Sequence, residues 1–260
     1  MVTNNNRQEN FFKSKLNDEG FAVLKLIDFE EIILIEDLNE IKSKELTILS
    51  DIVRKHGLSI EPDINYQNLK MKGTDTVVLF REDYNPGILS NEYKYASLLI
   101  KVGCLIASYD GVIDQKEIDG LLRFINKNIA LPDYELNRLK ALVKRMLSTT
   151  LNLKMFQVKL KDLNEYKRKE LVKFAKEIIV IDGYIDNREV SLLNNIYKLF
   201  SDDNEEIIDR RNTKRELMKF AKDNAIRIKQ DNKNKENKVV PAYMLKDDSL
   251  LDELLEDFGF

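Results

Sequence analysis

One motif of ten residues occurs twice in the chain, and this repeat constrains the fold more than any other feature. Residues 109–118 read YDGVIDQKEI, and residues 181–190 read IDGYIDNREV. Each copy follows an apolar segment and leads into another, so that Leu121 after the first copy matches Leu193 after the second. A repeat whose flanks stay in phase predicts two similar helix–turn–helix units related by a pseudo-two-fold.

The motif D-G-x-I-D-x-x-E predicts a tight turn between two helices without any ligand. Its glycine can take the left-handed conformation that ends a helix, and its isoleucine can turn inward between the helices. The second aspartate can cap the next helix, and the glutamate three residues later completes a capping box. In the two copies these residues are Gly111, Ile113, Asp114 and Glu117, and Gly183, Ile185, Asp186 and Glu189.

The first aspartate of each copy is not required for capping. It can accept backbone N–H groups within the turn, or it can join the other acids in binding a hard divalent cation through oxygen ligands. The candidate metal ligands are Asp110, Asp114, Glu117, Asp182, Asp186 and Glu189. The motif is not an EF-hand loop, because position twelve counted from Asp110 is Leu121 and not glutamate.

The remaining pattern favours helices, since only 9 of the 260 residues are Gly and 4 are Pro. Apolar residues at helical spacing predict helices over 90–106, 115–125, 134–147, 164–181 and 187–200, with Ser90 as an N-cap and Pro132 in a first turn. The run TVVLF at 76–80 has β-branched character but is too short to assign. We therefore predict an all-α fold in three parts. These are a helical N-terminal region at 1–75 with a disordered leader over 1–10, a helical bundle containing the repeat at 76–205, and a basic helix or linker followed by an acidic helix at 206–260.

Few residues suggest catalysis. His56, the only histidine, lies at a predicted helix end where a cation is favourable. Cys104, the only cysteine, excludes a disulfide within the chain, fits a reducing compartment and falls on an apolar face. No phosphate-binding loop, dinucleotide fingerprint or Cys/His metal spacing occurs, and no apolar run reaches the roughly 18 residues that span a bilayer. We expect a soluble, cytoplasmic, non-enzymatic protein, and a metal-dependent hydrolase that uses the acid cluster is a third hypothesis.

Two basic stretches and one acidic segment are candidate partner surfaces. Lys and Arg are frequent over 138–176, and over 210–238 eleven basic residues stand against four acidic ones. We expect most of these side chains to lie on solvated helix faces, and a nucleic-acid-associated accessory subunit is the alternative function that they would support. The segment 247–260 is acidic and can bind a protein partner or pack on its own domain. Its apolar stripe consists of Leu251, Leu254, Leu255 and Phe258.

The segment from about 77 to 200 resembles a tellurite-resistance TerB domain. In that family each half carries a helix followed by D-G-x-[IV]-x-x-x-E, and this pattern falls on Asp110-Gly111 with Glu117 and on Asp182-Gly183 with Glu189. The preceding helix GCLIAS and the apolar residues at 118, 121, 190 and 193 match as well.

The resemblance implies a TerB-like helical bundle with an acidic surface suspected of binding a divalent cation, and it implies no catalytic mechanism. It also implies a role in bacterial stress response, linked to tellurite, phage and colicin resistance. TerB proteins act in the cytoplasm or at the inner face of the membrane, with partners that include a membrane protein of the same system. The VVLF segment before the domain and the basic stretch after it resemble larger TerB-containing proteins with N- and C-terminal extensions.

Overall fold

The computed structural model describes residues 2–63, 70–82, 89–109, 115–149, 151, 153–181, 183–200, 210–224 and 226. Over these residues the chain is mostly helical, which confirms the predicted fold class, and it contains one small sheet besides. The chain forms two compact units. The first comprises the described residues of 1–100 and 125–149, and the second comprises those of 101–124 and 150–260.

The first unit contains a three-stranded antiparallel sheet in the order β1-β3-β2. Its strands are β1 (Phe21–Lys25), β2 (Leu58–Glu61) and β3 (Thr76–Arg81). Strand β3 pairs with β1 from Phe21↔Phe80 to Lys25↔Thr76, and with β2 from Leu58↔Arg81 to Glu61↔Val78. Helices α1 (Val2–Lys15) and α2 (Ser43–Lys55) and a 3-10 helix (Leu26–Glu31) belong to the same unit.

Both faces of β3 are covered, which explains why its sequence is a continuous apolar run. Val77 and Leu79 belong to the core formed with α1, α2 and the 3-10 helix. Val78 and Phe80 pack on the other side with Ala141 of a later helix. A central strand buried on both faces has no polar alternation, so its short apolar run could not be distinguished from a helix segment by periodicity.

The N-terminal region differs from the sequence-based expectation in two ways. Residues 2–15 form α1 where we expected a disordered leader over 1–10. The helix is held by Phe11 and Phe12, whose rings lie 5.4 Å apart and are 4% and 3% exposed in the core around Phe29. The region is also not purely helical, because β1 and β2 lie within residues 1–75 and pair with β3.

Three longer helices follow the sheet. They are α3 (Asn91–Tyr109), α4 (Gln115–Asn128) and α5 (Asp133–Met146). Ser90 caps α3 as predicted, because the Tyr93 N–H donates to Ser90 Oγ over 2.9 Å. Pro132 stands at the N-cap of α5, one residue earlier than expected. Helix α5 packs across all three strands and so covers the second face of the sheet.

The second unit is helical throughout its described residues. After a 3-10 turn at Leu153–Met155 come α6 (Gln157–Lys161), α7 (Glu165–Val180), α8 (Asn187–Phe200) and α9 (Arg210–Asp223). Asn164 caps α7 through a 2.9 Å bond from the Lys167 N–H. Helices α7, α8 and α9 pack against one another. The rings of Phe124 and Phe174, 4.7 Å apart, lie in the core of this unit.

Candidate functional site

The second acidic turn, residues 182–189, has the capping geometry that its sequence predicts. Gly183 has a φ of +82°, the left-handed conformation that favours glycine. The Arg188 N–H donates to Asp186 Oδ1 over 2.7 Å, and the Asp186 N–H donates to Glu189 Oε2 over 3.0 Å. This reciprocal pair is a capping box at the start of α8, and Ile185 is buried beneath it at 8% exposure.

Asp186 also carries a local counter-charge. The Arg188 Nε lies 3.3 Å from the same Oδ1 that accepts the backbone N–H. The two side chains are partly exposed, so the pair is solvated and contributes little to stability. It nevertheless means that one oxygen of Asp186 is already occupied by two donors.

Of the first acidic turn, residues 110–117, the structure describes 115–117, and Glu117 is the one candidate ligand in that part. Glu117 is 3% exposed in the first turn of α4, and its repeat equivalent Glu189 is 4% exposed in the first turn of α8. Charged side chains are rarely buried to this degree without partners, and both glutamates have them. The repeat therefore places two buried carboxylates at equivalent positions of two helices.

A close contact brings helix α4 to the beginning of the second acidic turn. A Cβ on Gly120 would lie 2.3 Å from the Cδ1 of Ile181, the residue directly before Asp182, so a larger residue here would force the end of the Ile181 side chain to shift. Glu117 is three residues before Gly120 and therefore lies on the same side of α4, within a helical turn of the contact. The side of α4 that carries Glu117 is thus the side that contacts Ile181.

Half of the six predicted metal ligands can be assessed in this way. Glu117, Asp186 and Glu189 are described, whereas Asp110, Asp114 and Asp182 lie outside the described residues. Within the described ranges no group of three or more His, Cys, Asp or Glu side chains is arranged to hold a metal ion. A donor set made only of carboxylate oxygens fits a hard cation such as Ca²⁺, Mg²⁺ or Mn²⁺. The metal site stays a prediction.

A second cluster, around Arg138, was not anticipated from the sequence, which indicated a solvated basic face for this segment. Arg138 is 1% exposed. Its guanidinium lies 3.3 Å from Asp63, 3.5 Å from Glu61 and 3.2 Å from Glu82, and it donates to Ser59 Oγ over 2.9 Å. The cluster links α5 to Glu61 at the end of β2, to Asp63 after β2 and to Glu82 after β3.

Burial and the nearby charges act in opposite directions on the pKa of Arg138. Burial by itself would lower this pKa, and the carboxylates of Glu61, Glu82 and Asp63 raise it above its ordinary value. Burial, together with the charge of Glu61, also raises the pKa of the nearby Tyr93 phenol well above its usual range. The adjoining cavity of about 10 Å³ has room for a single water molecule, so the cluster joins structural elements and is too small to be a ligand pocket.

His56 lines an open groove of about 680 Å³ in the first unit. It ends α2 as predicted, with its ring 5.0 Å from that of Phe12. Among the described residues that line the groove, none is a serine, threonine or cysteine that His56 could activate, and the charges are mixed. Its lining consists of Glu9, Phe12, Lys13, Leu16, Asn17, Asp18, His56, Gly57, Leu58 and Arg81. Cys104 is fully buried elsewhere, and burial raises the pKa of its thiol to about 12.

Comparison with known proteins agrees with the resemblance seen in the motif. Residues 96–212 match the family model described as tellurite resistance protein TerB, and this range includes both acidic turns. Neither the curated proteins nor the solved structures contain a match to the chain. In the part of the chain that the structure covers, no helix has the length and apolar character needed to cross a membrane.

Proposed function

We propose, from the match of residues 96–212 to the TerB model and from the two acidic turns of the sequence, that the chain is a non-enzymatic, metal-responsive interaction module. In this role a hard divalent cation binds between the first and second acidic turns, and the bound state presents the domain to a protein partner. The observation that supports the proposal is the contact of Gly120 with Ile181, because Glu117 lies on the same side of α4 and Ile181 directly precedes the second turn.

The capping roles of these acids are compatible with binding a cation. Capping uses Oδ1 of Asp186 and Oε2 of Glu189, and each carboxylate has a second oxygen. A divalent cation would be held by the carboxylates of both turns, and it would supply the positive charge that offsets their mutual repulsion. Because the ligands come from both halves of the repeat, binding would join those halves.

The cellular setting follows from the family. A relation to tellurite resistance is given by the match to the TerB model. Our proposal extends this to a bacterial stress response or phage-defence system, in the cytoplasm or at the inner face of the membrane. A membrane protein or another component of that system would be the partner. The absence of a nucleophile beside His56 and the inert Cys104 thiol support a non-enzymatic role.

Thermal unfolding with and without cations tests the proposal. The full chain is measured in chelator and then with Ca²⁺, Mg²⁺, Mn²⁺ and Zn²⁺ in turn. The variant Glu117→Gln/Glu189→Gln removes two charges, yet glutamine still accepts the capping bond, so helix capping and metal binding are separated. Glu165→Gln, an exposed acid at the start of α7, is the matched control.

A cation that binds only the folded chain should add about 2.7 kcal/mol at a hundred times its dissociation constant. We expect one hard cation to raise the free energy of unfolding of the wild type and of Glu165→Gln by this amount. The double variant should show no such increase. No rise with any cation, or an equal rise in the double variant, would leave the acids as helix caps. Metal-dependent hydrolysis that is abolished by Asp110→Asn would instead make the chain an enzyme.

A further inference from the structure

Helix α9 presents a row of exposed cations. Four basic residues recur at spacings of three and four along the helix and therefore share one face. They are Arg211, Arg215, Lys219 and Lys222. Met218 lies among them and is 49% exposed. The opposite face is buried in the second unit through Thr213, Leu217 and Ala221. We call the four cations with Met218 the α9 stripe.

Within the residues that the structure covers, no carboxylate lies within 4.0 Å of any of the four cations. Two acids adjoin the stripe in sequence. Glu216 pairs with Lys176 and accepts a 3.0 Å bond from the Tyr197 hydroxyl. Asp223 follows Lys222 at the end of α9 and is a single exposed acid beside four cations. Four adjacent like charges repel one another, so a bound anionic partner would stabilise this face.

We propose that the acidic C-terminal segment of this chain, residues 247–260, binds the α9 stripe. The segment has six acidic residues and no Lys or Arg. Its apolar residues Leu251, Leu254, Leu255 and Phe258 would meet the exposed Met218, while its carboxylates meet the four cations. The charge and the apolar content of the segment therefore both complement the stripe.

The connection between the two is long enough. Residues 224–246 separate α9 from the segment, and 23 residues can span at most about 75 Å at roughly 3.3 Å per residue. Helix α9 itself, at 14 residues, is about 21 Å long. The segment can therefore reach every position of the stripe, and because both belong to one chain their contact is intramolecular, which favours even a weak electrostatic contact. A bound segment would also keep other polyanions off the stripe.

Carbodiimide crosslinking of the full chain, read by mass spectrometry, tests the contact because it joins lysine amines directly to carboxylates. We expect Lys219 and Lys222 to be coupled to acids of residues 247–257 at low salt, and the coupling to be lost in 1 M salt. The variant Arg211→Glu/Arg215→Glu keeps both reactive lysines. It removes two of the proposed ion pairs with the acidic segment and adds two charges that repel it, so the crosslink yield should fall about tenfold. Arg211→Lys/Arg215→Lys is the matched control and should keep the yield. An equal mixture of isotope-labelled and unlabelled chains shows whether the segment binds its own copy or another.

A second measurement separates this contact from a nucleic-acid surface. Neutralising the segment with Asp252→Asn/Glu253→Gln/Glu256→Gln/Asp257→Asn should strengthen binding of a labelled oligonucleotide about tenfold, since the stripe is then uncovered. The proposal is overturned if the segment couples equally to lysines elsewhere, such as Lys159 and Lys161. It is also overturned if charge reversal leaves the yield unchanged, or if the wild type and the neutralised variant bind the oligonucleotide equally. Neither measurement involves a divalent cation, so the outcome is independent of the proposed metal site.

Discussion

Replacing Arg138 by methionine should destabilise the chain severely, and the loss should depend on pH. Methionine keeps the length and the apolar stem but removes the charge that faces Glu61, Asp63 and Glu82. These carboxylates are 7%, 7% and 3% exposed, so water cannot replace the guanidinium. Removing one partner from a buried ionic cluster costs about 3–5 kcal/mol, because the buried carboxylates lose the cation that they share and their mutual repulsion increases.

The expected pH dependence follows from proton binding. The Arg138 pKa lies above its ordinary value, so the wild-type guanidinium stays charged throughout the neutral and acidic range. In the variant, the folded state can lower the repulsion among the three carboxylates by binding protons that the unfolded state does not bind. A folded state that binds more protons gains stability as the pH falls. The loss in free energy of unfolding, variant against wild type, should therefore be largest near pH 7.5 and should become smaller toward pH 5.

Urea unfolding followed by circular dichroism at both pH values measures this difference. Lys140→Met is the matched control, because it removes an exposed cation from the same helix and should change stability by less than about 0.5 kcal/mol. If the free energy of unfolding falls by the same amount at pH 7.5 and at pH 5, the substitution has removed packing contacts and not a charge interaction. A variant as stable as the wild type would refute the description of the cluster.

Three further outcomes test other parts of the structure. Asp186→Ala should cost about 1 kcal/mol through loss of the Arg188 N–H bond, whereas Asp186→Asn should be nearly neutral in denaturant unfolding. Gly120→Ala should destabilise the chain by about 1–3 kcal/mol in the same assay despite its better helix propensity, because the added methyl meets Ile181; a more stable variant would contradict the close contact. The Cys104 thiol, whose pKa is about 12, should not react with a disulfide reagent at pH 8 until urea unfolds the chain, and rapid labelling of the folded chain would refute its burial.

Features fixed by neighbouring residues could be predicted from the sequence. Helix α8 spans Asn187–Phe200 as expected, and the capping box of Asp186 and Glu189 is present, because a cap and the helix it begins are only three residues apart. The same holds for Ser90 at α3 and for His56 at the end of α2. The buried position of Cys104 also follows from the apolar face on which it lies.

Features that depend on distant residues could not be predicted. Strand β3 is a strand because residues 21–25 and 58–61 supply its partners, and its own sequence contains no information about them. Arg138 is buried beside Glu61, which is 77 positions earlier, and Glu82, which is 56 positions earlier, so its charge alone suggested a solvated face. The acidic turns are an intermediate case: the repeat identifies their residues, whereas the contact of α4 with Ile181 joins residues that are distant in the sequence.

Helix α5 has a consequence for how such a chain can evolve. It lies within residues 96–212, yet its buried face rests on the sheet, which lies outside that range. An N-terminal region exchanged by recombination would bring a foreign surface to Ala141 and would leave Arg138 without its three acids. The helix and the sheet must therefore be inherited together, and the boundary of this structural unit does not coincide with the span that matches the TerB model.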